Sequence, residues 1–203
     1  MSQDSNQNPP ITKIDDSLYL GDSLSSRRRD ILRENNITAV VSLLDGGWIH
    51  WHQPWYKEII HEGNHLYIPC NDSMTHDLLP ELAGICNFIH SHRNSGPSTV
   101  SSVLVHCAMG VSRSATALVA YLMRAYQWNV NDALAFVAEK RRIKPNENFK
   151  EQLQVWEAVG YEIWADSKGR IPKAEYAAYL AKRAKRLQER GLTGDEPIGI
   201  QSL

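Results

Sequence analysis

The chain is poor in cysteine and has no long apolar run. Only three of its 203 residues are cysteines, and their spacings match no common zinc site. No apolar stretch approaches the roughly 18 residues that a membrane-spanning helix needs, and the first residues lack the apolar core of a signal peptide. The sequence therefore predicts no structural zinc, no membrane span and no secretory leader.

An excess of charge of either sign is also missing. The 22 lysines and arginines nearly balance 23 aspartates and glutamates, which leaves a formal net charge of −1. A chain without a basic surplus is not, taken as a whole, a typical nucleic-acid binder. A hydrophobic content of 42% in 203 residues is enough for one sizeable core, so we expect one main domain.

One segment, residues 106–114 with the sequence HCAMGVSRS, combines a nucleophile with anion-binding groups. It follows a short β-rich run at 100–105, and apolar residues at helical spacing begin within the same loop. Cys107 thus lies on a strand–loop–helix turn, where loop N–H groups and the positive end of a helix favour an anion. We expect these groups to stabilise the thiolate and to lower the pKa of Cys107 well below the free value of about 8.5.

The neighbours of Cys107 suit phosphate chemistry. Arg113 offers a planar fork of donors to two phosphate oxygens, which a lysine cannot reproduce. Gly110 allows a tight turn at mid-loop, and Ser114 is placed to donate a hydrogen bond to the sulfur. His106 is expected to orient the loop, because a stabilised thiolate needs no base. The phosphate-binding candidates are Ala108, Met109, Gly110, Val111, Ser112 and Arg113.

Residues 106–114 resemble the signature loop of the cysteine-dependent protein tyrosine phosphatases. The continuations SRSAT at 112–116 and YLM at 121–123 are similar to the dual-specificity branch of that superfamily. IDDSLYLG at 14–21 resembles the opening strand of the branch, and PNENFKEQL at 145–153 resembles its late helix start. These matches occur in the order that the branch shows, and they imply a phosphatase that needs no cofactor and no metal.

The resemblance covers roughly residues 11–160. Met109 stands where the branch often has alanine, a change that the loop should tolerate. No kinase-docking domain precedes the matching region, so the small, atypical type is expected. We predict a disordered tail at 1–10, a catalytic domain at 11–165 and a basic helical extension and tail at 166–203. A thiolate nucleophile must stay reduced, which predicts a location in the cytoplasm, the nucleus or both.

The hydrophobic pattern predicts strands separated by helices. Strands are expected at 38–44, 66–69 and 100–105, and helices at 25–36, 79–91, 130–142, 147–162 and 174–189. This order predicts an α/β fold with a central, mostly parallel, twisted sheet flanked by helices, and the resemblance implies the dual-specificity phosphatase form of it. The loops after Leu44, Ile68 and Val105 should then meet at one edge of the sheet.

An acid is needed to protonate the leaving oxygen, and Asp72 is the first candidate. It follows the strand at 66–69 directly, and it matches the position of the general acid in the family's motif. One carboxyl group can first donate a proton and then activate water. The alternative role for Asp72 is turn formation. Asp77 is the second candidate acid, although it resembles a cap for the helix that follows.

The loop after Leu44 is rich in aromatic residues, with three tryptophans and a tyrosine between Trp48 and Tyr56. These rings either pack beneath the loop, which we favour because aromatics dominate buried cores, or rim the active site and contact a ring-bearing substrate. His50, His52, His61 and His65 are nearby. No cysteine or carboxylate completes a ligand set with them, so no metal is expected.

Two further features leave alternatives open. Cys70 is either a buried, inert thiol or a partner for a reversible disulfide that protects Cys107. Residues 168–190 carry eight basic side chains, with Tyr176, Leu180 and Leu187 at helical spacing. The extension is expected to be a peripheral helix with a solvated charged face. A weaker hypothesis is contact with an acidic partner, RNA or an anionic lipid surface.

The resemblance implies hydrolysis of phosphotyrosine and of phosphoserine or phosphothreonine in proteins, through a phosphocysteine intermediate. Phosphoinositide-directed relatives tend to carry lysines inside the signature loop, and this loop has none. Glucan or RNA 5′-phosphate substrates remain alternatives, which the tryptophan-rich loop would suit. The competing class is a pseudophosphatase that binds phosphoproteins without turning them over. The sequence leaves the oligomeric state undetermined.

Overall fold

A computed structural model of the chain describes residues 8–46, 49–93 and 101–197, except for the side chains of residues 49 and 50. Its strands are β1 (Ile11–Asp15), β2 (Leu18–Gly21), β3 (Ile37–Leu44), β4 (His65–Pro69) and β5 (Ser102–His106). Its α-helices are α1 (Arg29–Glu34), α2 (Pro54–Lys57), α3 (Leu79–Arg93), α4 (Arg113–Tyr126), α5 (Val130–Lys140), α6 (Glu147–Ala158) and α7 (Ala174–Glu189). Short 3-10 helices lie at Ser25–Arg27 and Ile49–His52.

The strands form one sheet in the order β1-β2-β5-β3-β4. The β1–β2 pair is antiparallel, and the β2–β5, β5–β3 and β3–β4 pairs are parallel. The predicted α/β fold with a mostly parallel sheet flanked by helices is therefore confirmed. Because β3, β4 and β5 run in the same direction, the loops that follow them leave from one edge of the sheet.

The strand that leads to Cys107, β5, is completely buried. All five residues of β5, with the sequence SVLVH, are buried. β5 lies between β2 and β3 and is covered on both faces, which is typical of a central strand in a parallel sheet. The β-branched and aliphatic side chains of this run fill both faces, so the end of the strand is held firmly where the signature loop begins.

Two clusters of apolar side chains cover the two faces of the sheet. The main cluster joins the strands to α3, α4, α5 and α6, and it includes Tyr176 and Tyr179 of α7. The smaller cluster joins Leu32 of α1 and Tyr56 of α2 to the opposite face. The α7 helix, which lies beyond the expected boundary at 165, thus shares the main core with the strands.

The aromatic loop after β3 contributes to the smaller cluster. Tyr56 is buried in it, and Trp51 and Trp55 are partly buried and pack against it. The ring of Trp51 lies 4.2 Å from that of His65 and 4.9 Å from that of Tyr67, between ring centroids. These described rings pack beneath the loop, as the favoured interpretation predicted. Trp48 lies outside the described residues.

Two predictions near the N-terminus were wrong in detail. The single helix expected at 25–36 is a 3-10 turn followed by α1, because Arg28 between them is extended, with φ −101° and ψ 109°. The single strand expected at 14–21 is the end of β1, a turn at residues 16–17, and β2. The turn at residues 16–17 allows β1 to pair with β2, which periodicity within one segment does not reveal.

Two helices end earlier than predicted, and a change of backbone conformation marks each end. The α5 helix stops at Lys140 because Arg141 is extended, with φ −146° and ψ 134°. The α6 helix stops at Ala158, and Gly160 and Tyr161 follow with φ near +65°. A left-handed residue after a helix is a common terminating feature. The α7 helix has the limits that the sequence predicted.

Part of the predicted disordered tail at 1–10 is bonded to the domain. Residues 1–7 lie outside the described residues, but the side chain of Asn8 bonds with the backbone of Arg142 at both its N–H and its carbonyl. The carbonyl of Pro10 accepts a hydrogen bond from the N–H of Asp22. The three described residues of this segment are therefore ordered by contacts with the catalytic domain.

Half of the basic side chains of the C-terminal extension form hydrogen bonds with the rest of the domain. Four of its eight basic side chains bond to residues elsewhere in the domain, namely Lys173, Lys182, Arg183 and Arg186. The apolar face of α7 docks on the core, as its spacing suggested. Contact with RNA, a lipid surface or an acidic partner stays a prediction. None of the described helices is long and apolar enough to cross a bilayer.

The packing of Trp51 can be tested through stability. Replacing Trp51 with alanine removes two ring contacts and partly buried apolar surface, which should lower the free energy of unfolding by about 2 kcal/mol. Turnover of a small aryl phosphate, the substrate type that the resemblance implies, should not change. Chemical denaturation and initial rates measure the two effects, with Trp51→Phe as the conservative control. Unchanged stability with weakened substrate binding would instead place this ring at the rim of the site.

Candidate active site

The signature loop, residues 106–114, joins the end of β5 to the start of α4. Cys107 follows the strand directly and is only 2% exposed. Arg113 and Ser114 are the first residues of α4, and both are buried. The N-terminal turn of this fourteen-residue helix therefore faces the loop with its free N–H groups, which favours negative charge at Cys107.

The surroundings of Cys107 stabilise the thiolate. Burial by itself raises the pKa of the thiol, but several groups more than offset that effect and hold the pKa below its ordinary value. These are the Ser114 hydroxyl and N–H, the charge of Arg113, and the N–H of Val111. The Ser114 Oγ lies 3.2 Å from the sulfur and donates to it. The lowered pKa agrees with the expectation from the sequence.

Arg113 connects the three loops that the sequence predicted to meet. Its Nη1 donates to the carbonyl of Cys70 at 2.8 Å, just beyond β4, and lies 3.6 Å from Asp45, just beyond β3. Its Nε lies 4.0 Å from Asp72 and makes no hydrogen bond to any described residue. A buried guanidinium with an unused donor is suited to receive a phosphate oxygen.

Asp72 lies across the site from Cys107, and two side chains orient it. Its Oδ1 accepts hydrogen bonds from Ser112 Oγ at 2.9 Å and from Asn146 Nδ2 at 2.8 Å. The carboxyl group is partly exposed, with 36% of the side chain accessible. Asp72 therefore reaches the same cavity as the nucleophile and keeps access to water.

Asp77, the second candidate acid, is engaged elsewhere. Its Oδ1 accepts a hydrogen bond from the N–H of Leu79 at the start of α3, and its Oδ2 accepts one from the hydroxyl of Tyr176. Burial raises the pKa of Asp77, partly offset by these bonds. Unlike Asp72, it does not line the cavity at Cys107. Of the two carboxyl groups, only Asp72 is placed at the site.

A cavity of about 530 Å³ opens at the signature loop. Five of the six phosphate-binding candidates line it together with Cys107 and Asp72, namely Ala108, Met109, Val111, Ser112 and Arg113. Met109 is 73% exposed at its mouth, consistent with a tolerated change at this position. The cavity also contacts Lys144 and Asn146, which come from the segment before α6.

Gly110, the sixth candidate, shapes the loop and does not line the cavity. Its φ is +66°, and a Cβ there would lie 2.4 Å from the carbonyl oxygen of Gly21. Behind it, the buried guanidinium of Arg141 donates to the carbonyls of Gly110 at 2.9 Å and Met109 at 3.4 Å. The same side chain bonds to Pro9. Arg141 thus turns two loop carbonyls away from the cavity.

His106 is fully buried and bonds to the sheet beneath the loop. Its Nε2 lies 2.6 Å from the hydroxyl of Ser42, which lies 2.9 Å from the Nε2 of His65. This chain of polar contacts links the end of β5 to β3 and to the first residue of β4. The arrangement fits the predicted role of His106 in orienting the loop.

The structure also describes the two other cysteines and the candidate metal ligands. Cys70 and Cys86 are buried free thiols, and burial raises the pKa of both. A reversible disulfide between Cys70 and Cys107 stays a prediction. Across residues 8–46, 49–93 and 101–197, no three histidine, cysteine or carboxylate side chains come together as metal ligands.

Sequence reasoning missed three contributors to the site, namely Asp45, Arg141 and Asn146. Asn146 had a detectable signal, because it is the N-cap of α6 and its Oδ1 accepts from the N–H of Phe149. Its second bond, to Asp72, joins residues 74 positions apart. Nothing local distinguishes Arg141 from the exposed arginine beside it, so only the fold could show that it is buried.

Comparison with known proteins agrees with this geometry. The dual specificity phosphatase catalytic domain family matches residues 18–159. The chain belongs to this family. The matched region runs from the start of β2 to just beyond α6 and so contains the signature loop, Asp72 and Asn146. As a member of the dual-specificity phosphatase family, the chain is a phosphatase-type hydrolase of the protein tyrosine phosphatase superfamily.

Two relatives and one solved structure are similar to this chain over most of its length. Dual specificity protein phosphatase 22-B of Danio rerio is 37% identical over 145 residues, which cover 71% of this chain and 72% of the relative. Dual specificity protein phosphatase 22-A of the same fish is 32% identical over 158 residues, covering 76% and 70%. The Yvh1 phosphatase domain of Chaetomium thermophilum has a similar structure, with a TM-score of 0.66 and 32% identity, covering 77% of this chain and 99% of that domain.

The contact between Ser114 and Cys107 predicts a measurable change in thiol acidity. Replacing Ser114 with alanine removes a donor that stabilises the charged thiolate, so the pKa of Cys107 should rise. The rate of iodoacetamide alkylation as a function of pH reports this value, with Cys107→Ser as the blank that identifies the reacting thiol. An alkylation profile that does not move would show that the hydroxyl contributes nothing to the thiolate.

Proposed function

We propose that this protein hydrolyses phosphotyrosine and phosphoserine or phosphothreonine in proteins through a phosphocysteine intermediate. The observation that carries the proposal is the facing arrangement of Cys107, with its lowered pKa, and Asp72 across one cavity, with Arg113 between them. These three groups supply the nucleophile, the proton and the cation that a phosphate ester requires.

In the first step, the Cys107 thiolate attacks phosphorus and forms the S–P bond while the ester O–P bond breaks. Asp72, in its protonated form, transfers its proton to the departing oxygen, so a neutral alcohol or phenol leaves. Arg113 and the N–H groups of the signature loop bind the non-bridging oxygens, where charge is held in the transition state. The turn at Gly110, braced by Arg141, aims those N–H groups at one point.

In the second step, the Asp72 carboxylate removes a proton from a water molecule that attacks phosphorus. The S–P bond breaks, the thiolate of Cys107 is regenerated, and inorganic phosphate leaves. The Ser114 hydroxyl, 3.2 Å from the sulfur, stabilises the thiolate as it departs. The partial exposure of Asp72 provides the access to water that this step needs.

The form of the site favours protein substrates. The cavity is open, and its mouth carries the exposed Met109, so it accommodates a phosphate on a long or a short side chain. The signature loop contains no lysine that could bind a second phosphate of an inositol headgroup. Trp51 and Trp55 pack in the smaller cluster, so neither of these two indoles of the aromatic loop supports a glucan or RNA substrate. A reducing location, the cytoplasm or nucleus, is part of the proposal because the thiolate must survive.

The competing function is a pseudophosphatase, and the presence of all three reactive groups disfavours it. A direct test compares the release of p-nitrophenol from p-nitrophenyl phosphate by the wild-type protein and by Cys107→Ser. The wild type should turn over the substrate, and the variant should release none above background, while both bind a phosphopeptide. Equal rates for the two proteins would refute the enzyme assignment. A panel of phosphopeptides, phosphoinositides, glucan and RNA tested with the Cys107→Ser protein would identify the substrate class.

The role of Asp72 gives a separate prediction. Replacing Asp72 with alanine should lower kcat for phenyl phosphate by roughly 10²- to 10⁴-fold, because phenol does not leave readily without a proton, and should leave inhibition by inorganic phosphate unchanged. Asp16→Asn, a fully exposed carboxylate outside the site, is the matched control. A normal rate for Asp72→Ala would require another acid.

A further inference from the structure

The segment that carries Asp72, residues 70–78 between β4 and α3, has no regular secondary structure and is here called the acid loop. Its backbone groups must find hydrogen-bond partners outside the loop. Two amide side chains of α6 provide several of these bonds. Asn148 Nδ2 donates to the carbonyl of Ser73 at 3.2 Å and to that of His76 at 2.8 Å. Gln152 also donates to the carbonyl of His76 and accepts from the N–H of Leu78 at 2.7 Å.

The α7 helix, which lies beyond the matched family region, bonds to the same loop directly. The Nε of Arg183 donates to the carbonyl of Thr75 at 2.6 Å. The hydroxyl of Tyr176 donates to Oδ2 of Asp77 at 2.8 Å, and this tyrosine is buried. Residues about 100 positions away in the sequence thus contact the loop three and five residues after Asp72.

A third residue of α7 acts on the two amides of α6. The hydroxyl of Tyr179 donates to Oδ1 of Asn148 at 3.1 Å and accepts from Nε2 of Gln152 at 2.8 Å. Both amides and the tyrosine are buried, so these bonds fix which amide atom faces the acid loop. Arg186 lies 5.6 Å from the Tyr179 ring centroid and bonds to Glu151 of α6, which fastens the two helices together.

We propose that α7 is a positioning element for the general acid. Arg183 and Tyr176 hold the acid loop directly, and Tyr179 holds it through Asn148 and Gln152, so that Asp72 stays in reach of the leaving oxygen. The proposal rests on the proposed function, because it assigns α7 a role in that same reaction. A helix that only covered apolar surface would need no hydrogen bonds to the loop carbonyls. None of these α7 residues lines the cavity, so they act on the rate through Asp72.

Two substitutions on α7 test this role. Arg183→Ala removes the bond to the carbonyl of Thr75, and Tyr176→Phe removes only the hydroxyl that binds Asp77. Lys185→Ala is the matched control, because Lys185 lies on the exposed side of the same helix and, among the described residues, its ion-pair partner is Glu189. Thermal unfolding checks that each variant is folded at the assay temperature. If Arg183→Ala is unfolded there, Tyr176→Phe still provides the test.

A misplaced acid has a kinetic signature that depends on the leaving group. p-Nitrophenol leaves readily without a proton, whereas phenol requires one. We therefore expect Arg183→Ala and Tyr176→Phe to lower kcat for phenyl phosphate by roughly three- to tenfold more than kcat for p-nitrophenyl phosphate. Lys185→Ala should change neither, and the alkylation profile of Cys107 should be unchanged in all three. Equal losses on both substrates would overturn the proposal.

A double-substitution cycle separates positioning from a general structural effect. In the Asp72→Asn background there is no acid to position, so adding Arg183→Ala should cause no further loss of kcat. The same loss in both backgrounds would contradict the proposal. Amide hydrogen exchange of residues 72–78 gives a readout that needs no turnover, and it should accelerate in Arg183→Ala and Tyr176→Phe but not in Lys185→Ala. Absence of turnover by the wild type would refute the proposed function, whereas unchanged exchange would refute the role of α7.

Discussion

The active site is built around the buried sulfur of Cys107, whose surroundings favour the thiolate and lower the pKa of the thiol. An anion at this depth is costly unless donors surround it, and here the Ser114 hydroxyl, the loop N–H groups and Arg113 do so. Those donors converge only if the loop keeps one shape. The left-handed turn at Gly110 and the hydrogen bonds from Arg141 to two loop carbonyls impose that shape. The central strand and the buried helix on either side of the loop supply its rigid ends.

The half of the site that carries Asp72, the proposed acid, is built in a different way. Asp72 lies on an irregular loop, and its position comes from side chains that belong to other segments. Ser112 links it to the signature loop, and Asn146 links it to the start of α6. Behind the loop, α6 and α7 bind its carbonyls. The geometry at Cys107 therefore rests mainly on the signature loop, with one distant contribution from Arg141. The position of Asp72 rests mainly on contacts between distant parts of the chain.

This difference explains how much could be predicted from the sequence. The strand–loop–helix at Cys107, the parallel sheet and the meeting of three loops at one edge follow from local patterns and from the rule for parallel strands. The turn between β1 and β2 depends on strand pairing, and the early end of α5 depends on distant contacts of Arg141. Arg141 is the clearest case, because it leaves the helix to reach carbonyls 31 residues away.

The sequence by itself determined the chemistry that the chain can carry, because Cys107, Arg113 and Ser114 lie on one short segment with a strand before it and a helix after it. It also indicated Asp72 through the strand that precedes it. Only the tertiary structure decided which carboxyl group faces the nucleophile, that Trp51 and Trp55 pack under their loop, and that the basic C-terminal helix binds the acid loop. Those outcomes depend on hydrogen bonds and packing between residues far apart in the chain, which no local pattern records.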